Sequence, residues 1–326
     1  MTPAVRCLDD AEVDRLLTLD DAVTTLRRAL GSEPAMAPVS MPKALGTWPD
    51  GSLHALGAHW TSSGYAGVKT WINTSAGAQS VYCLFDTAAG GLLGIFRARS
   101  LGRLRTAAVG ALGLQAMVPA DTGTLALLGT GRQARAQLAG AAAVLPLTRV
   151  RVWSPTTEHR TSFSAAMADE FGIEVIPAGS VADAVRDVGA VVTVTRARAP
   201  FLRAADLRPD VHINAMGAIL PGAAELDADV VRSARSVVVD DVASALENST
   251  ELRTALRDDP GFSGRVSPLG EVLRAPGVVR PGLTIFKSVG LGACDLVLAV
   301  RVYEAARLGA ADHTRTDPTT TQAQEK

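Results

Sequence analysis

Residues Leu125–Ala143, LALLGTGRQARAQLAGAAA, decide the fold. An apolar run enters Gly129-Thr130-Gly131-Arg132-Gln133-Ala134, and an alanine-rich helical pattern follows. This is the GxGxxA form of a dinucleotide-binding turn, in which each small residue has its own task. Gly129 permits the tight turn. Gly131 lets the backbone approach a pyrophosphate. Ala134 allows the helix to pack closely on the sheet. The open N–H groups at the helix start, with its dipole, attract phosphate, so Thr130, Arg132 and Gln133 join the glycines as candidate cofactor contacts.

Downstream, TLALL, RVRVW, IEVI, AVVTVT, VHINAM and SVVVDD recur with helical segments between most of them. Almost wholly apolar strands alternating with helices specify an α/β, Rossmann-type, doubly wound parallel sheet covered on both faces. The spacing predicts a helix over Ser180–Val188, opened by Ser-x-x-Asp, a last strand at Leu283–Phe286 and a helix over Asp295–Leu308. DHTRTDPTTTQAQEK, at the end, reads as a tail without order. Upstream, a helix is expected at Asp20–Leu30 and strands at Leu53–His59, Gly67–Asn73, Ser80–Asp86 and Gly91–Arg97. A hairpin turn falls at Asp86–Gly91, and a helix runs from Ser100 to Val118, stopped by Pro119. That half is a separate α+β unit.

A length of 326 residues fits two such units. Lysine plus arginine is 32 against 33 acids, a net charge of −1, which argues against nucleic acid or an anionic membrane as the main partner. No apolar stretch reaches the roughly 18 residues of a membrane span. The N-terminus lacks the apolar core of a signal peptide, so a cytoplasmic location is expected. Cys7, Cys83 and Cys294 are too scattered for a disulfide framework or a CxxC metal site, and no metal is expected.

The strand after the glycine turn ends in Val152-Trp153-Ser154-Pro155-Thr156, with Arg160 beyond. An acid at that strand end would hold a ribose 2′-hydroxyl, whereas arginine accommodates a 2′-phosphate. With no acid directly there, Ser154, Thr156 and Arg160 favour NADP, with NAD as the alternative; Arg160 would otherwise simply face solvent. Asp240-Asp241 ends another strand at the same sheet edge, where metal binding would lack further ligands.

Five segments in order, GVKT (Gly67–Thr70), RLRTAAVGAL (Arg103–Leu112), GTGRQA, NAMGAILPGAAELD (Asn214–Asp227) and FKSVGLGACDL (Phe286–Leu296), resemble the ornithine cyclodeaminase/mu-crystallin family. The resemblance implies a nucleotide domain over 119–295. A substrate-binding and dimerisation domain would comprise 1–118 with 296–326, completed by the C-terminal helix. It implies a homodimer and a small imino or amino acid substrate. Lys69 and Arg105 match the residues that bind the substrate carboxylate and serve catalysis, and Lys43 aligns with a further family arginine. A guanidinium fork suits a carboxylate, and Arg105 and Arg103 cannot share one helix face. Gln79 is a candidate pocket residue. Thr195, Gly217 and Ser288-Val289-Gly290 are candidate cofactor contacts.

Two departures shape the functional expectation. Ile219 stands where cyclodeaminases carry an aspartate, and His54 lies near the place of another acid; His54 and His59 otherwise read as surface or core histidines. Isoleucine cannot exchange a proton, a loss of roughly 10²–10⁴-fold in acid–base catalysis. The expected activity is therefore NADP-dependent oxidoreduction at the carbon–nitrogen bond of an imino or amino acid. The alternatives are a cyclodeaminase-type lyase and a cofactor-dependent binding protein. Cys294 reads as a small packing residue.

Overall fold

The computed structural model describes residues 4–219, 222–275 and 281–315. The chain opens with strand β1 (Arg6–Leu8) and helices α1 (Asp10–Leu16) and α2 (Leu19–Leu30). Both helices begin in capping boxes, Asp9 with Glu12 and Thr18 with Asp21, which satisfy amides that a helix start leaves open. Ala22, Val23, Leu26 and Ala29 recur at helical spacing and form the buried face of α2.

Strands β2 (Val39–Ser40), β3 (Ala44–Trp48), β4 (Gly51–Trp60), β5 (Tyr65–Thr74), β6 (Gly77–Asp86) and β7 (Leu92–Arg97) complete the first sheet. Its order is β1-β7-β6-β5-β4-β2, with β3 paired to β4; β1 runs parallel to β7 and the other pairs are antiparallel. The expected turn at Asp86–Gly91 forms. The Asp86 carboxylate accepts from the amides of Ala88 and Ala89, and Gly90 adopts a φ of +65°. Alternation sorts the residues between two faces. Leu56, Lys69, Tyr82 and Phe96 stand in register and are buried. Leu53, Ile72 and Phe85 lie on the other pleat and are exposed.

Helix α3 (Arg99–Met117) leads into the second sheet. There β8 (Thr124–Leu128), β9 (Arg149–Trp153), β10 (Glu174–Pro177), β11 (Ala190–Thr193), β12 (His212–Ala215), β13 (Ser236–Val239), β14 (Val266–Pro268) and β15 (Thr284–Lys287) pair in parallel. The order is β10-β9-β8-β11-β12-β15-β13-β14, which reverses direction between β8 and β11. A ligand crevice forms at such a switch point. The strand expected at Leu283–Phe286 is last in sequence but central in space, between β12 and β13. Apolar clusters cover both faces, one including Leu127 and Val192 and the other Val191, Ile213 and Ile285.

Helices α4 (Arg132–Val144), α5 (Thr157–Phe171), α6 (Val181–Val185), α7 (Ala228–Ser233), α8 (Val242–Asn248), α9 (Thr250–Asp258), α10 (Leu269–Arg274) and α11 (Gly292–Arg315) complete the chain. Two differ from expectation. The Ser180 hydroxyl does cap α6, but the helix stops after Val185, because Arg186 turns extended and Asp187 takes a φ of +58°. Helix α11 starts before Asp295 and continues past Leu308 to Arg315, so the first residues of the expected tail are helical. The remainder of that tail, 316–326, lies outside the described residues. α11 returns to the first sheet and packs on α2, α3, β4 and β5. Among the described residues no helix is long and apolar enough to cross a membrane.

Candidate active site

A cleft of about 700 Å³ opens where the first sheet faces the carboxyl edge of the second. Strand β5 supplies Lys69 and Trp71, α3 supplies Arg105, and the segment before β3 supplies Lys43. Ile219 and the Ser288–Gly290 loop close the other side, and Arg132 and Gln133 of the glycine turn reach the same cleft.

At its floor the Lys69 ammonium donates to both oxygens of Asp295 at 2.8 Å, with both side chains buried. Arg105 Nε lies 3.5 Å from Asp295 Oδ1 and makes no hydrogen bond among the described residues. Burial lowers the Lys69 pKa to about 8; Asp295 opposes that shift and Arg105 adds to it. Burial, then the Arg105 charge, also lowers Lys43. The Nζ atoms of Lys43 and Lys69 stand 5.5 and 5.2 Å from the Trp71 ring centroid. His54 stacks on Trp71 at 4.5 Å and shares a 2.8 Å hydrogen bond with Ser52. Its pKa falls through burial and then through the Lys43 charge. His59 is exposed.

Both arginines border the cleft, but they turn to different partners: Arg103 pairs with Asp14 at 2.7 Å toward solvent, while Arg105 is directed at the buried Asp295. Gln79 borders the cleft, but it sits on the outer pleat opposite Ile72 and its Oε1 accepts from Arg97. Ile219 is 42% exposed and brings no polar group. Cys294 is packed, its thiol pKa pushed up by burial.

The glycine turn has the shape its sequence requires. Gly129 adopts a φ of +128°, and a Cβ there would lie 2.7 Å from the Val194 carbonyl oxygen. Gly131 opens α4, with nothing within 4 Å of the place of a Cβ, while Ala134 is buried. The Gln133 Oε1 is buried without a partner among the described residues. Arg160 Nη1 donates to the Ser154 carbonyl at 2.9 Å, so its side chain folds back to the end of β9. Ser154 donates to Thr156 O, and Thr156 precedes α5. Open space at a helix N-terminus, flanked by this arginine, fits a dinucleotide phosphate.

Asp240 is not a metal ligand in waiting. It accepts from the Ser288 hydroxyl at 2.8 Å and from the amides of Val289 and Gly290, while Asp241 caps α8. Burial raises the Asp240 pKa against those bonds. Among the described residues no group of three metal-binding side chains occurs. Three buried acids escaped the sequence reading, Glu251, which pairs with Lys287, and, nearer the cleft, Asp295 and Glu225. For the last two a signal existed. Each stands in an apolar setting (GACDLVLAV and PGAAELD), and a carboxylate there requires a partner. That was the available signal.

A largely antiparallel sheet docked against the carboxyl edge of a doubly wound nucleotide fold, with cations between them, is the architecture of a nucleotide-dependent enzyme. The chain belongs to the ornithine cyclodeaminase/mu-crystallin family, whose profile matches residues 5–310. It is 27% identical to the Delta(1)-pyrroline-2-carboxylate reductase of Bacillus cereus strain ZK / E33L over 70% of this chain and 71% of that one. It is 31% identical to the ketimine reductase mu-crystallin of Mus musculus over 70% and 69% of the two chains. An archaeal alanine dehydrogenase dimer with bound NAD superposes with a TM-score of 0.86 at 26% identity, covering 94% of this chain and 97% of that one.

Proposed function

We propose that the protein is an NAD(P)-dependent oxidoreductase acting on the carbon–nitrogen bond of a small imino or amino acid. The observation that carries this reading is the Lys69–Asp295–Arg105 cluster, set in one cleft with the glycine-turn residues Arg132 and Gln133. When bound, NAD(P)H supplies the hydride that reduces the imine carbon, and the nitrogen takes a proton. Arg105 and Lys43 hold the substrate carboxylate, the arginine through its fork and the lysine as a point charge. Lys69 has two donors committed to Asp295 and one remaining, which makes it the proton donor at nitrogen. Ile219 and Trp71 give the substrate an apolar wall. The absence of a carboxyl group at position 219 weighs against the lyase reading. Residues 1–118 with 296–326 serve as the substrate and dimerisation unit in this reading, and 119–295 as the nucleotide unit. Ser154, Thr156 and Arg160, with no acid at the end of β9, favour NADP over NAD.

The test is the absorbance of NADPH with purified protein and a panel of cyclic imino acids and keto acid–amine mixtures. Substrate-dependent oxidation supports the reading. Bound NADPH with no oxidation across the panel favours the binding protein, and ammonia release without net cofactor change favours the lyase.

A pH dependence follows from Lys69, which faces Asp295, Arg105, Cys294 and Tyr82 and has Lys43 nearby across Trp71. A donor with a pKa of about 8 is protonated below that pH and loses its proton above it. Reductive kcat/KM is therefore expected to be level below pH 8 and to fall about tenfold per unit above it. A profile flat to pH 10 would remove Lys69 as the donor.

The relative's dimer, with the exposed Leu53, Ile72 and Phe85 on the outer face of the first sheet, supports a homodimer through that face. Ile72→Asp with Phe85→Asp is expected to halve the mass seen by light scattering. An unchanged mass would place the interface elsewhere.

A further inference from the structure

We infer that Glu225 is a positioning residue for the cofactor: buried behind the carboxyl edge of the second sheet, it sets the spacing of the loops that follow β11 and β12. The inference rests on the nicotinamide-cofactor reading above. Glu225 is fully buried and accepts five hydrogen bonds from neutral donors. One oxygen takes the Thr195 amide at 2.6 Å and the Thr195 hydroxyl at 2.8 Å. The other takes the Thr193 hydroxyl at 2.8 Å and the amides of Gly217 and Ala218 at 2.9 and 3.2 Å. Two adjacent loops are thus referenced to the fixed separation of two carboxylate oxygens. Gly217 leaves no room for a side chain between them, since its Cβ would meet Glu225 Oε1 and the backbone of Thr195.

The same network reaches a third loop. Lys287 donates to the Ala218 carbonyl at 3.0 Å and pairs with Glu251 at 2.7 Å, while Glu251 Oε1 accepts from the amides of Glu225 and Leu226. Lys287 directly precedes Ser288–Gly290, which lines the cleft. A carboxylate buried at such desolvation cost is strongly tied to its donors. Here the donors belong to loops on the β11–β12 side of the switch point. The β9 side, with Ser154, Thr156 and Arg160, has no bond to Glu225. In a doubly wound fold the two sides take the two halves of a dinucleotide.

Glu225→Gln tests this. Glutamine keeps one acceptor oxygen and turns an NH₂ group toward N–H and O–H donors. The expected result is a rise of at least about tenfold in the NADPH dissociation constant, read by protein-bound NADPH fluorescence. Binding of the adenosine-half fragments 2′,5′-ADP and AMP should stay within about twofold. Glu225→Asp, which keeps the charge, should recover part of the loss. Unchanged NADPH affinity in a folded Glu225→Gln protein would overturn the inference. So would an equal loss of NADPH and fragments, which marks a purely structural role. If that variant does not fold, Thr193→Val removes one bond to Glu225 and nothing else, and it should show the same selective loss at smaller size; equal affinities would refute the inference. Wild-type protein that binds neither NADPH nor NADH would instead overturn the cofactor reading itself.

Discussion

Lys69→Met is expected to lower reductive kcat by about 10²–10⁴-fold, the size of a lost general acid, while NADPH affinity is retained. Methionine fills similar volume but brings no proton. The substitution also leaves the fully buried Asp295 with Arg105 as its nearest cation, 3.5 Å away. Arg105 would then be drawn toward Asp295 and away from a substrate carboxylate, so KM should rise as well. Asp295→Asn separates the two effects. It keeps Lys69 but removes the charge that holds the lysine pKa up, so the alkaline limb of the profile should move below pH 8. Steady-state pH profiles of both variants check this. A Lys69→Met enzyme that keeps kcat within tenfold of wild type would refute the donor assignment.

The largest loss of stability is expected from Lys287→Met. Lys287 and Glu251 are each about 1% exposed and lie 2.7 Å apart. Breaking such a pair from one side leaves a buried charge and costs about 3–5 kcal/mol. Urea denaturation of the cofactor-free protein should show that drop. Adding Glu251→Gln should restore part of it, because glutamine removes the stranded charge yet still offers an acceptor to the amides of Glu225 and Leu226. If Lys287→Met alone costs under 1 kcal/mol, Glu251 has another cation or is neutral.

Legibility in the sequence followed the range of the interaction. The glycine turn is local: its backbone angles and small residues are written within six positions, and the fold follows from it. Lys69 and Arg105 carried a motif each; helix periodicity said only that Arg103 and Arg105 could not share a face, and the motif chose Arg105. What failed was long-range. Asp295 meets Lys69 across 226 positions, and inside an apolar helix it resembles core. Glu225 gathers its donors from two segments separated in the chain, Thr193–Thr195 and Gly217–Ala218, and no local pattern ties the first of them to it. The end of α6 at Val185 depends on Asp187 adopting a positive φ, which composition does not announce. The central place of β15 is likewise a matter of topology, since a short apolar strand fits the middle or the edge equally well.

Helix α3 has one more consequence. Thr106, beside Arg105, accepts through its carbonyl from Gln137 of α4 at 2.8 Å, and Gly110 accepts from Asn214 of β12 at 2.7 Å. The guanidinium is therefore fastened to the helix that springs from the glycine turn, although its own helix belongs to the other half of the chain. Lys43, His54 and Trp71 have no such fastening, because they sit on or beside the first sheet. For an engineer, this divides the catalyst into a chassis and an exchangeable face. Changes introduced on β3–β5 away from Lys69 would leave the distance between the Arg105 guanidinium and the glycine turn untouched.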